Sequence, residues 1–369
     1  MTDIEKAFER ISNEVSKIDK KENNLYFYIL DTKGNASGSV EYLYGLALSC
    51  HNAGYNVTML YFNDEEDGQF VGVESWLGSE YANLQHKSIT SEVSVATSDI
   101  LFVPDIFLGE FSADSSHQFQ KMPCQKVAVF QNYYNACQTM TINMQLGQMG
   151  VFDCICNTAY TEDLVKSAFP YVRTHIVPPF IDERFHDDDN VAKKPIINLY
   201  CRDIYETKVI INDFYRRYPM FQWISFMPLN GLSIDEVSEH LRTNAFTLWD
   251  DNHASFGYTA VEAMKSGSIV IAKVPEGGGD WVYDGEYLNA CCVWCDNCKD
   301  MSEKIANVVR SWMTDRVPSD LIEKASAVAK HYNVEASSKM MTDFVEYLNK
   351  KRKDEFNIIK ANLEKSNRK

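Results

Sequence analysis

From Leu25 onward, short runs of β-branched and aromatic residues alternate with stretches of helical periodicity, the pattern of a parallel α/β architecture. "LYFYIL" (25–30) reads as a buried strand, "SVEYLYGLALSCHNAG" (39–54) as a helix stopped by glycine, and "NVTMLYF" (56–62) as the next strand. Together they make one βαβ unit. "DILFV" (99–103), "KVAVF" (126–130), "FDCIC" (152–156), a helix over "TEDLVKSAF" (161–169) and "THIVPPFID" (174–182) continue the series. Pro178 and Pro179 extend neither a helix nor a sheet, because proline has a fixed φ and no N–H to donate. The pair predicts an interdomain hinge, with the boundary near residue 180.

Past the prolines the alternation restarts. "IINLYC" (196–201) is a strand, "KVIINDFYRRY" (208–218) a helix, "QWISFM" (222–227) a strand, "SIDEVSEHLRT" (233–243) a helix and "AFTLW" (245–249) a strand. "HASFGYTAVEAMKSGSIVIAK" (253–273) adds a small-residue turn, a helix and a buried strand. After "CCVWC" the chain turns helical and charged to its end. The pattern therefore predicts two Rossmann-like parallel-sheet domains with C-terminal helices. The divisions are an N-terminal helical extension (1–23), a first domain (24–180), a second (181–330) and a helical tail (331–369).

A length of 369 residues exceeds what one hydrophobic core usually serves, which agrees with two domains. The net charge of −16 repels polyanions at long range and disfavours a nucleic-acid or acidic-membrane partner. "MTDIEKAFERISNEVSKIDKKENN" reads as an amphipathic helix, with Ile4, Phe8, Ile11 and Val15 on one side, rather than as a leader. The apolar runs are too short to span a membrane, and ten cysteines without a secretion signal read as reduced thiols. The expected compartment is the cytoplasm.

Three stretches carry candidate chemistry. In "DTKGNASGSVEYLYGLAL" (31–48), Gly34, Gly38 and Ser39 lie in a turn between a strand and a helix start, where backbone N–H groups meet a phosphate or sugar hydroxyl. An ordinary βα turn is the alternative. In "YCRDIYETK" (200–208), Arg202 ends a strand and Lys208 lies at the following helix, so both cations fall at the carboxyl end of the sheet, where open α/β sheets bind ligands. Solvated surface cations are the alternative.

The third stretch is residues 253–273, where Ser255, Phe256 and Gly257 precede a helix whose first N–H groups lack intrahelical partners. Glu262, about a turn and a half into that helix, can accept two ribose hydroxyls, or it can merely complement the helix dipole. Elsewhere, "CCVWCDNC" (291–298) has metal-like spacing but reads as buried structural thiols, and the aspartates 187–189 read as a solvated charge run. His175 reads as structural, and "NKKRKDEF" (349–356) as an exposed helix face.

The three sites in this order resemble the GT-B glycosyltransferases, especially the retaining glycosyltransferase family 4 group. "ASFGYTAVEAMKSGSIVIA" matches that family's E-G-F-G-x-x-x-x-E-A-M-A-x-G-x-P-V-I pattern at Phe256, Gly257, Glu262, Ala263, Met264, Gly267, Val270 and Ile271. "GSVEYLYGLALSCHNAGYNVTML", "IVPPFIDERF", "PEGGGDWVYDGEYLNACCVW" and "HYNVEASSKMMTDFVEYL" extend the resemblance over most of the chain. It implies two domains facing across a cleft, with the closing helix crossing back to the first domain. The second domain would hold a nucleotide-sugar donor, and the acceptor would be a glycan or another molecule.

Carried over by residue, Arg202 and Lys208 would neutralise the diphosphate, Ser255, Phe256, Gly257, Tyr258 and Thr259 would offer backbone donors, and Glu262 would hold the ribose. Gly38 and Ser39 would lie on the glycine turn, and Met227 beside the base. The resemblance implies front-face retaining transfer that needs neither metal nor cofactor, the nucleotide sugar being the substrate. Two positions depart from the pattern. Ala254 stands where the family's first Glu contacts the transferred sugar, with Asp251 or His253 as substitutes, and Gln131 and Asn132 stand where the family often has a histidine. A binding protein without turnover, or an epimerase of the same fold, are the alternatives to a transferase.

Overall fold

The computed structural model describes residues 3–61, 70–89, 93–109, 122–188, 190–275 and 278–367. Phe62 of the predicted second strand, Asp189, and Glu276 and Gly277 of the glycine loop lie outside them. The chain divides into two compact units. The first gathers the chain to Asn157, Thr161–Val177 and everything from Glu335 onward; the second gathers Thr158–Tyr160 and Pro178–Val334.

The first unit runs α1 (Asp3–Asp19), β1 (Asn24–Ile29), α2 (Gly38–Asn52), β2 (Asn56–Tyr61), α3 (Ser79–Ala82), β3 (Gln85–Ser88), β4 (Ile100–Pro104), β5 (Gln125–Phe130), α4 (Tyr133–Thr139), β6 (Val151–Cys156), α5 (Ala159–Ala168) and β7 (Arg173–Ile176). Its described strands form one parallel sheet in the order β3-β2-β1-β4-β5-β6-β7. Helices cover both faces of a parallel sheet, which is why β1, β2, β4, β5 and β6 are largely apolar runs rather than alternating ones. Phe27 on β1 stacks on Phe102 of β4 with ring centres 4.5 Å apart. The strand order reverses between β1 and β4, leaving a crevice at their carboxyl ends. Strand β3, polar and half exposed, carries no apolar signal and was not expected from the pattern.

Helix α11 (Val334–Asn367) belongs to this unit from Glu335. Its Ser338 shares a 2.8 Å hydrogen bond with Ser49 of α2, and Asn23 donates to Asn349 at 3.1 Å. The buried Asp153 carboxylate receives Arg173 Nε at 2.8 Å, Lys351 Nζ at 2.5 Å and the Tyr347 hydroxyl at 3.2 Å. Helix α1 is fixed by Glu14, which accepts from the Ser98 N–H at 2.9 Å and hydroxyl at 2.6 Å. His175 packs against Phe344 and Tyr347, a structural position.

The second unit runs β8 (Lys194–Cys201), α6 (Ile204–Arg217), β9 (Ser225–Pro228), α7 (Ile234–Thr243), β10 (Asn244–Asp250), α8 (Tyr258–Lys265), β11 (Ile269–Lys273), the hairpin β12 (Tyr283–Asp284) and β13 (Tyr287–Leu288), β14 (Val293–Cys295), α9 (Cys298–Met313) and α10 (Ser319–His331). Its parallel sheet has the order β14-β11-β10-β8-β9, so the reversal point lies between β8 and β10. Two boundaries differ most from the pattern. Helix α6 starts at Ile204, not Lys208, because the Asp203 carboxylate caps it by accepting from the N–H groups of Tyr205 and Glu206. Strand β9 starts only at Ser225, since Pro219–Phe221 wind into a 3-10 turn. Cys291 and Cys292 lie in the turn before β14.

Candidate functional site

Arg202 leaves the carboxyl end of β8 at the reversal point. Its N–H donates to the Asp250 carbonyl at 3.1 Å, and its Nη2 lies 2.8 Å from Asp251 Oδ2. The Arg202 side chain is 64% exposed and that of Asp251 only 5%, so a guanidinium reaching into solvent is tethered to a buried carboxylate. The other Asp251 oxygen accepts the His253 N–H at 3.3 Å, and the Asp251 carbonyl accepts the Ala254 N–H at 3.2 Å. These bonds wind residues 251–254 into a tight turn that buries Ala254 and leaves the His253 side chain exposed.

The chain then enters α8 through Gly257, which adopts φ +83°. A Cβ there would stand 2.7 Å from Trp249 and 3.1 Å from Trp281, so both the conformation and the space demand glycine. Phe256 is a packing residue. Its ring lies edge-on to Tyr258 and Tyr332, and its carbonyl is taken by the Gly279 N–H at 3.2 Å and the Trp281 indole N–H at 2.7 Å. Thr259 and Glu262 are buried on α8, while Ser255 and Tyr258 are half-buried at its start. Burial first, then the charges of Asp251 and Glu262, push the Tyr200 hydroxyl up, which puts Glu262 within electrostatic reach of the β8 end.

Lys208 is exposed on the second turn of α6, and Met227 is half-buried on the edge strand β9, paired with Asn198. The α6 residue that reaches the strand ends is Glu206. Its Oε1 lies 2.7 Å from Lys273 Nζ and accepts the Cys298 thiol at 3.1 Å. Asp250 feels the Glu206 charge, and its pKa rises to about 6 through burial first and that charge second. Glu206, Asp250 and Lys273 went unnoticed in the sequence because their roles come from three different elements. Cys291, Cys292 and Cys295 are buried thiols; Asp187, for its part, pairs with Lys193 at 2.9 Å. A cavity of about 380 Å³ lined by Met264, Ile269, Cys291, Ile322 and Ala329 opens at the amino end of β11, away from Arg202.

In the first unit, Gly38 and Ser39 begin α2 and are exposed, behind a turn in which Lys33 and Gly34 both take positive φ. Across the reversal point, Asp105 follows β4 and is 2% exposed. Its Oδ2 accepts the backbone N–H groups of Gln131 at 2.8 Å and Asn132 at 2.6 Å, and its Oδ1 accepts from Asn135 Nδ2 at 3.4 Å. Burial pushes its pKa up to about 6 against those hydrogen bonds. Gln131 is buried, with its carbonyl held by Asn157, and Asn132 caps α4 by accepting from the Tyr134 N–H. Asp105 was also unrecognised, although a carboxylate directly after an apolar strand was the available signal.

No protein-family model and no curated protein sequence matches the chain. Solved structures do. Sucrose-phosphate synthase from Thermosynechococcus elongatus superposes with a TM-score of 0.62 at 12% identity, covering 88% of this chain and 99% of that one. Anabaena HepE in complex with UDP-glucose gives 0.60 at 13% identity, covering 88% and 99%. The fold is that of the GT-B glycosyltransferases. OtsA in its apo form gives 0.59 at 10% identity, with 88% and 99% covered. At these identities the GT-B likeness is one of architecture: two parallel-sheet α/β domains and C-terminal helices. No helix among the described residues is long and apolar enough to cross a membrane.

Proposed function

We propose that this protein transfers a sugar from a nucleotide-sugar donor to a glycan or other acceptor, with retention of configuration and without a metal. The observation that carries the reading is the constellation at the β8/β10 reversal point. An exposed guanidinium, Arg202, ends one strand, and the buried Glu262 lies on the helix that begins just past the other. Open α/β sheets bind ligands at this place, and a helix start favours negative charge.

In this reading Arg202 and Lys208 neutralise the diphosphate, the amides from Ser255 to Thr259 add backbone donors, and Glu262 accepts both ribose hydroxyls. Met227 lies beside the base, and Phe256 acts through packing, holding Gly257 against Trp249 and Trp281. The leaving phosphate takes the acceptor proton, so the protein's task is to position groups and stabilise developing charge. Gly38 and Ser39 help to bind the donor, and Gln131 and Asn132 serve catalysis by hydrogen bonding to sugar or phosphate, with Asp105 holding these last two in place. HepE was solved with UDP-glucose, which makes UDP-sugars the first donors to test.

Ala254, buried where the family has its first Glu, favours a second reading: a binding protein that holds the donor without turning it over. Incubation with a panel of nucleotide sugars separates the two. Released sugar or slow donor hydrolysis supports the transferase; tight binding with an intact donor supports the binding protein.

A further inference from the structure

We propose that Asp251 is an internal competitor for Arg202, occupying the guanidinium until a phosphoanhydride displaces it and so setting how tightly the site holds that anion. The inference rests on the nucleotide-sugar reading.

The two partners differ in mobility. Asp251 is buried at a strand end, one carboxylate oxygen and the carbonyl both engaged by N–H groups of the following turn, so it cannot follow its partner. Arg202 is mostly exposed on a long side chain, and its Nη2 stands 2.8 Å from Asp251 Oδ2. A pair whose cation is solvated is weak, whereas a phosphoanhydride offers several charged oxygens and a bidentate match to the guanidinium. Displacement is therefore favoured once such an anion arrives.

The surroundings make the competition matter. Glu206, Asp250 and Asp251 converge at the strand ends, where Asp250 feels the charges of both other carboxylates, while Arg202 and Lys273 are the cations paired with them. Lys273 is already committed to Glu206 at 2.7 Å. Of the two cations of this cluster, Arg202 is then the one that an incoming anion meets, alongside Lys208 on the second turn of α6.

The test is calorimetric titration of the full chain with UDP and, separately, inorganic pyrophosphate, using wild type, Asp251→Asn, Arg202→Ala and the double variant. Asp251→Ser serves as a second neutral variant should the amide destabilise the turn, and thermal unfolding reports the fold of each. The expected result is at least fivefold tighter binding in Asp251→Asn or Asp251→Ser, at least tenfold weaker binding in Arg202→Ala, and no gain from Asp251→Asn in the Arg202→Ala background. Unchanged or weaker binding in both neutral variants, with Arg202→Ala still losing affinity, overturns the inference and leaves the donor reading standing. A gain that persists without Arg202 also overturns it, since removing a nearby charge would then suffice. Absence of binding by wild type and both neutral variants removes the donor reading and this inference together.

Discussion

Lys351 Nζ stands 2.5 Å from Asp153 Oδ2, joining α11 to β6 across 198 residues of sequence. Asp153 is also held by Arg173, and His175 Nε2 lies 3.9 Å away. Burial opposes its ionisation, but His175, Arg173 and Lys351 together outweigh burial and hold its pKa well below the usual carboxylate range.

Asp153→Asn should therefore destabilise the first unit. Removing one partner of a buried pair costs about 3–5 kcal/mol; here Arg173 and Lys351 can rehydrate, so about 2 kcal/mol is expected. Because the folded pKa is depressed, the contribution is present above the ordinary carboxylate pKa and disappears as pH falls through the folded value. Urea denaturation at pH 7 and at pH 3 checks this: the gap between wild type and variant should be wide at pH 7 and narrower at pH 3.

Asp105 has the opposite sign. Its pKa is raised from 3.8 to about 6, so its contribution is fully present below 3.8 and is lost as pH rises through about 6. A shift of that size corresponds to something on the order of 2–3 kcal/mol. Between pH 5 and pH 8, wild type should lose more stability than Asp105→Asn, because the amide does not titrate. Asp250 titrates in both proteins and cancels in the comparison. Equal losses would show that Asp105 is not the buried group being ionised.

Gly257→Ala should cost about 3 kcal/mol, combining a left-handed backbone for a non-glycine residue with overpacking against Trp249. Thermal unfolding followed by tryptophan fluorescence reports it. The same variant should bind the donor more weakly, since the residue opens α8; an alanine that changes neither property would mean that the φ of +83° is not enforced.

Much of this molecule is visible in the bare sequence. The strands β1, β4, β5 and β10 announce themselves as apolar runs because a parallel sheet is covered on both faces, and Ser233 with Glu236 marks the start of α7 by forming a capping box. Arg202 and Gly257 stand out because each sits at a strand or helix end, and Glu262 because it is the carboxylate of α8. Less visible were features made by distant residues. Strand β3 is polar and gets its identity from pairing with β2, and Asp105 matters only because Gln131 and Asn132 are brought beside it. The Arg202–Asp251 pair needs the strand order β8 next to β10, which no local pattern reveals. The packing of the Phe256 ring on Tyr332, seventy-six positions on in the chain, is likewise beyond any local pattern.

The donor site is tested most directly by calorimetric titration of wild type, Arg202→Ala and Glu262→Ala with a panel of UDP-, GDP- and ADP-sugars. The expectation is that wild type binds at least one of them and that each variant loses at least tenfold in affinity while unfolding at a temperature near that of wild type. Unchanged nucleotide-sugar affinity in both variants would contradict it.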